Sequence, residues 1–230
     1  MTDVNRAMLE MVLSKLGDVR EQLVFLGGAV AGLLASNPAA EPIRETDDVD
    51  CIVEVGASRL EYHAIESRLF ELGWQPGSAK VPADPMCRFR HGTLVVDVMP
   101  DHPDVLGFAS IWGRAAIPHA THLDVGPWTI RVISAPFFLA TKLEAFLNRG
   151  DNDYLASHDL EDVVIVVDGR PEILEEVERA PANLRTYLGE QLHSMWPRLM
   201  SETLPGALRS DSAKLRLVER RLDAIRQLKP

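Results

Sequence analysis

The sequence predicts an α/β (α+β) fold, with a sheet-bearing core over residues 1–133 and a helical region over residues 134–230. Three observations carry this expectation. A short apolar run, Gln22 to Leu26, feeds directly into Gly27-Gly28 and a helix of small residues. A second strand-like run, Val49 to Val55, opens on closely spaced acids. Beyond Ser134 the periodic segments have helical spacing, with no clear strand between them.

Taken in order, Ala7 to Leu16 places Met8, Leu9, Val12, Leu13 and Leu16 at helical spacing. The small-residue helix, Ala29 to Ala35, ends at Asn37-Pro38. Arg59 to Leu72 reads as a helix with Leu60, Ile65, Leu69 and Leu72 on one side and Gly73 at its end. Arg88 to Arg90 and Leu94 to Met99 read as two strands of a hairpin turning at His91-Gly92. Trp128 to Val132 is a last short strand. The helical part comprises Phe137 to Phe146, Ser157 to Val167, Ile173 to Val177, Leu184 to Met195 and Ala213 to Leu228. Val163 to Val167 is a β-branched run that suits strand or buried helix. Ser157 as N-cap, with Asp159 and Glu161 in the first turn, favours helix.

Composition sets limits. At 230 residues and 46% apolar content, the chain can build a substantial core. No run of ~18 apolar residues is present to span a membrane. The N-terminus lacks the basic-then-apolar pattern of a signal peptide, so a cytoplasmic location is expected. Cys51 and Cys87 sit in apolar strand-like runs and read as buried thiols. The net charge of −10 argues against a protein that coats nucleic acid. A local basic patch survives: the last twenty residues hold Lys214, Arg216, Arg220, Arg221, Arg226 and Lys229 against only Asp211, Glu219 and Asp223.

The chemistry concentrates between Phe25 and Val55. Glycines at a strand-to-helix turn let backbone approach a phosphate closely, which makes Gly27 and Gly28 candidates for nucleotide binding. On a strand, residues i and i+2 share a face, so Asp48 and Asp50 project together and Asp47 falls opposite. Paired carboxylates repel, and a hard divalent cation such as Mg²⁺ (or Mn²⁺) relieves that repulsion. Asp97, an acid inside the apolar run Leu94 to Met99, is the candidate third ligand. Arg44 and Thr46 either position phosphates or shape the turn before the strand. The seven histidines lack zinc spacing and read as surface or loop residues, and the tryptophans read as packing anchors. Trp112, in a loop after the acidic strands, is the one placed to border a pocket.

The ordered combination of Gly-Gly after an apolar strand, a small helix, Asp-x-Asp opening a strand and a later acid resembles the nucleotidyltransferase superfamily that includes DNA polymerase β. Arg44-x-Thr46-x-Asp48-Val49-Asp50 further resembles the signature of the AbiEii/AbiGii group of bacterial toxin nucleotidyltransferases. Thr141-Lys142-Leu143-Glu144-Ala145, Arg149 and His158-Asp159-Leu160-Glu161-Asp162 follow in that group's order. His158 departs from it, standing where Lys or Arg is usual. The likeness covers about Leu23 to Val167.

The resemblance implies a nucleotidyltransferase-fold sheet and metal-dependent transfer of a nucleoside monophosphate from an NTP to an acceptor. Asp48, Asp50 and Asp97 would be catalytic metal ligands. Lys142 would bind the triphosphate and neutralise charge as pyrophosphate leaves, and Asp159 would orient the acceptor or take its proton. The plain alternative is that Lys142 and Glu144 are a solvated helix face, and that Asp159 and Asp162 complement a helix N-terminus. A toxin would take tRNA or a protein as acceptor and pair with a cognate antitoxin. An antibiotic-type enzyme acting on a small hydroxylated molecule suits the negative charge. A non-catalytic nucleotide-binding member is the third reading, against which the intact acids and Lys142 count.

Overall fold

The computed structural model describes residues 4–37, 40–78 and 84–228. The chain divides into two compact units, Met1–Val30 with Arg44–Ile133, and Ala31–Ile43 with Ser134–Pro230. Pro38 and Lys229, both singled out in the sequence, lie outside the described residues.

The first unit is built on one seven-stranded mixed sheet. Its strands are β1 (Leu23–Leu26), β2 (Val49–Val53), β3 (Gln75–Pro76), β4 (Arg88–His91), β5 (Leu94–Pro100), β6 (Thr121–Val125) and β7 (Trp128–Val132). They lie in the order β3-β4-β5-β2-β1-β7-β6. All four residues of β1 are buried, as a central strand covered on both sides requires. Strand β1 runs antiparallel to β2 and parallel to β7, while β2 runs parallel to β5. The β4–β5 hairpin turns at Gly92, whose φ of +64° suits a residue without a side chain. That turn pairs His91 with Leu94 and therefore Arg88 with Asp97.

Helices clothe this sheet. Helix α1 (Val4–Leu16) buries Leu9, Val12, Leu13 and Leu16, and its buried stripe begins one turn earlier at Asn5. Helix α2 (Gly28–Leu34) follows β1 at once, and from Ala31 on it belongs to the second unit. Helix α3 (Arg59–Glu71) starts at Ser58, whose hydroxyl accepts the Glu61 N–H at 3.2 Å. Its buried side is Tyr62, Ile65 and Leu69, whereas Leu60, expected there, is 81% exposed. Five positions separate Leu60 from Ile65, which places them well around the helix from each other; Tyr62 has the i−3 spacing that shares a face. Two one-turn helices, α4 (Pro103–Leu106) and α5 (Gly113–Ala116), fill the connection to β6.

The second unit is helical, with no strand among its described residues. It comprises α6 (Ala135–Arg149), α7 (His158–Gly169), α8 (Ile173–Glu178), α9 (Ala182–Arg198), α10 (Leu204–Ala207) and α11 (Ser212–Gln227). Ser157 caps α7 by accepting the Leu160 N–H at 3.2 Å, and the β-branched run Val163 to Val167 is buried helix. Asp211 caps α11 by accepting from Ala213 and Lys214. Helix α11 buries Val218, Leu222 and Ile225. The segment Ala31–Ile43 is stitched into this unit. Asn37 donates its N–H to the Gly169 carbonyl at 2.8 Å, Arg170 donates to the Leu34 carbonyl at 2.7 Å, and Lys214 bonds Glu41 at 2.7 Å. Among the described residues no helix is long and apolar enough to cross a membrane.

Candidate active site

The sheet brings seven of the sequence-selected residues together in the first unit. Asp50 of β2 pairs in register with Asp97 of parallel β5, so the two side chains rise from the same face. Asp48 precedes β2 by one residue and accepts a hydrogen bond from the Thr46 hydroxyl at 3.2 Å. Asp47 points to solvent, leaving Asp48 as the acid that joins Asp50. Gly28 lies against Thr46 and Arg44: a Cβ there would stand 3.4 Å from Thr46 Cβ and 3.6 Å from an Arg44 guanidinium nitrogen. Gly27 has φ of +72°, and a Cβ added to it would overlap the Asp50 carboxylate. In this structure the first glycine thus makes room for an acid. Helix α2, only seven residues long, gives the turn a weak dipole.

Three further residues complete this unit's constellation, and none was selected from sequence. Arg88 of β4 donates from Nε and one terminal nitrogen to both oxygens of Asp97, each at 2.8 Å. The same terminal nitrogen reaches Asp48 at 2.6 Å. These carboxylates, and Asp97 most closely, hold the Arg88 guanidinium above its ordinary pKa. Asn5 of α1 donates to the Arg44 carbonyl at 2.7 Å and accepts the Thr46 N–H at 3.1 Å, which fixes the segment leading into Asp48. Asp101, buried at the end of β5, accepts the N–H groups of Val55 and Gly56, both at 2.8 Å, and ties β2 to β5. The turn lies at Gly92-Thr93, one residue after the expected His91-Gly92, which would have set Arg88 opposite Val95. The sequence register therefore did not point to Arg88, whereas the buried-stripe position was the signal for Asn5.

The donor set has the chemistry of a Mg²⁺ site, three carboxylates on one sheet face. Its arrangement is not a metal cage. Among the described residues no group of three or more His, Cys, Asp or Glu side chains is placed to hold a metal ion. The guanidinium of Arg88 stands between Asp48 and Asp97 instead.

Lys142 and Asp159 belong to the second unit, where they form a cluster with Asp162. Lys142 is only 7% exposed and Glu144 only 8%, so the solvated-face alternative does not hold. The Lys142 ammonium lies 2.6 Å from Asp162 and 3.1 Å from Asp159. Burial pulls its pKa down, but the two carboxylates outweigh that and hold it above the ordinary lysine value. Asp162 is fully buried, and Arg149 approaches Asp159 at 3.5 Å. His158 is exposed and 3.6 Å from Glu161. Trp112 is buried at the start of α5, Trp74 is fully buried, and no histidine is buried. Both cysteines are buried free thiols; burial pushes Cys87 up to about 12.

No family model matches the chain, and no curated protein matches it in sequence. Solved structures do match. The antibiotic-resistance factor ANT(2″)-Ia is 13% identical, with 86% of this chain and 98% of that chain covered and a TM-score of 0.50. An H. pylori protein assigned as a nucleotidyltransferase is 12% identical, covering 97% of this chain and 93% of its own, also at 0.50. The fold is nucleotidyltransferase-like. An antigenic nucleotidyltransferase-like protein from Paracoccidioides brasiliensis is 16% identical over 94% of each chain, with a TM-score of 0.47. The mixed sheet followed by a helical region is the architecture expected from the sequence. At these identities the likeness speaks for the fold, and the site must speak for the chemistry.

Proposed function

We propose that the chain transfers a nucleoside monophosphate from an NTP to an acceptor hydroxyl on the face carrying Asp48, Asp50 and Asp97. The observation that carries this reading is the in-register opposition of Asp50 and Asp97 on neighbouring parallel strands, with Asp48 beside them, on a nucleotidyltransferase-like fold. The acceptor hydroxyl gives its proton to water and its oxygen bonds the α-phosphorus as the bond to the departing pyrophosphate breaks. A Mg²⁺ (or Mn²⁺) ion held by the three carboxylates would supply neutralisation of the triphosphate charge. Thr46 and Asn5 hold Asp48 and its leading segment in place, and Arg44 beside Gly28 offers a guanidinium to a phosphate. For Lys142, the role toward a triphosphate rests on the sequence resemblance; its observed partners are Asp159 and Asp162.

For the acceptor, the Arg44-x-Thr46-x-Asp48-Val49-Asp50 signature favours tRNA or a protein, as for the toxin of a toxin–antitoxin or phage-defence system, with a cognate antitoxin as partner. The net charge of −10 and the likeness to an antibiotic-resistance factor favour a second reading, a small hydroxylated and cationic molecule. The purified protein should be incubated with labelled NTPs, Mg²⁺ and separate pools of tRNA, protein and aminoglycosides. Label should enter one pool, and Asp50→Asn should abolish its entry. Normal labelling by Asp50→Asn, or no label in any pool, sinks the proposal. Label in the aminoglycoside pool alone ends the toxin reading.

A further inference from the structure

The acidic face carries its own cation, and that cation stands among the acids. Arg88 engages both oxygens of Asp97 with two parallel hydrogen bonds of 2.8 Å and reaches Asp48 at 2.6 Å. Its remaining terminal nitrogen lies 3.8 Å from Asp84, an acid already forked by Arg90 at 2.9 and 3.0 Å. The Arg88 and Asp97 side chains are 21% and 10% exposed, so the fork is partly withdrawn from water, where charge-assisted pairs of this shape are strong. The antiparallel pairing of Arg88 with Asp97 fixes the placement in the backbone itself.

Two carboxylates this close need a cation between them, and a metal and a guanidinium cannot use the same oxygen lone pairs at once. We propose that Arg88 is a tethered place-holder for a divalent ion: it neutralises Asp48 and Asp97 until the ion arrives, and loading requires its guanidinium to leave both. This rests on the reading that Asp48, Asp50 and Asp97 take a divalent cation. Asp50, in register with Asp97, adds a third carboxylate to the same face, so oxygen ligands for a divalent ion persist while Arg88 is in place. On release, Arg88 remains within reach of Asp84. Metal affinity is then set by the competition as much as by the ligands.

The experiment is a Mn²⁺ titration followed by electron paramagnetic resonance, on the full chain, without nucleotide. Wild type, Arg88→Gln, Arg88→Lys and Asp97→Asn are compared. Arg88→Gln should bind Mn²⁺ about tenfold more tightly than wild type, the usual scale of a coupling between competing ligands. Arg88→Lys, which keeps the charge and loses the fork, should fall between them, and it carries the comparison if Arg88→Gln does not fold. Without metal, Arg88→Gln should melt below wild type, and saturating Mn²⁺ should close the gap. Equal affinity in wild type and the Arg88 variants, lost in Asp97→Asn, overturns the place-holder and leaves the metal site standing. No Mn²⁺ binding by wild type or the Arg88 variants overturns both.

Discussion

The carboxylate of Asp50 rests against the α-carbon of Gly27, in space that any side chain on Gly27 would occupy. Gly27→Ala therefore meets two penalties. A positive φ of 72° costs a non-glycine residue about 1–2 kcal/mol, and the new methyl displaces an acid of the site. The variant should lose about 2 kcal/mol or more by denaturant titration and should lose transfer activity as well. In an Asp50→Ala background the stability cost should shrink by about 1 kcal/mol, because the carboxylate overlap is gone while the 3.0 Å contact with the residue-50 Cβ and the backbone strain remain. Strictly additive costs would mean that Asp50 does not press on this glycine.

Removing Lys142 leaves the fully buried Asp162 without its cation. Lys142→Met should cost about 3–5 kcal/mol, the scale for breaking a buried pair from one side. Lys142→Met with Asp162→Asn should recover most of that stability. Turnover that stays lost in the recovered double variant assigns Lys142 a direct part in the reaction; turnover that returns assigns it to the scaffold. The same pair shapes the alkaline limb. Since the folded-state pKa of Lys142 is raised, its contribution is complete below the unfolded lysine value of about 10.4 and disappears as pH climbs through the folded value. Wild type should lose melting temperature more steeply above pH ~10.4 than the double variant does.

Asn5 satisfies the carbonyl of Arg44 and the N–H of Thr46 from a position where it is nearly inaccessible. Asn5→Ala should cost about 1–3 kcal/mol, since it strands two backbone groups. Loosening the segment ahead of Asp48 should also lower kcat, which steady-state kinetics with the identified acceptor would read. Asn5→Ala with wild-type stability and turnover would falsify its assignment as a clip.

Of the basic residues on α11, only Arg216 and Arg220 are exposed. Arg226, part of the basic patch in the sequence, lies 4.3 Å over the Trp196 ring and bonds Asp223; Arg221 bonds the carbonyls of Val167 and Asp168. Arg216→Glu with Arg220→Glu should leave stability within about 0.5 kcal/mol. With an RNA acceptor, the pair should weaken transfer and lower the salt slope by about 1 to 2 in log–log terms. Transfer to RNA unchanged between low and moderate salt removes α11 as a guide.

What was legible follows from how local each signal is. Asp48 and Asp50 announce themselves through spacing on one strand, and Asp97 through an acid in an apolar run. Arg88 was latent: a hairpin turning at Gly92 pairs residue 91 with 94 and so 88 with 97, but only once the turn residues are known. Strand β6 escaped because Thr121, His122 and Asp124 leave an edge strand mostly solvated, with little apolar alternation to read. The two-residue β3 and the one-turn α4 and α5 are too short for any period. The burial of Lys142 and Glu144 depends on how α6 packs within its unit, and helical spacing alone reads them as solvated.

The interleaved course of the chain bears on how the protein can be taken apart. Residues Ala31–Ile43 sit early in sequence, yet their hydrogen-bond partners Gly169, Arg170 and Lys214 are encoded far downstream. A single cut after Ile133 would therefore yield a fragment carrying a thirteen-residue insert parted from Gly169, Arg170 and Lys214, and a remainder missing one of its own pieces. Either unit would have to be expressed from a redesigned gene, with Val30 joined to Arg44 by a short linker for the sheet, or the insert supplied to the helices as a separate peptide.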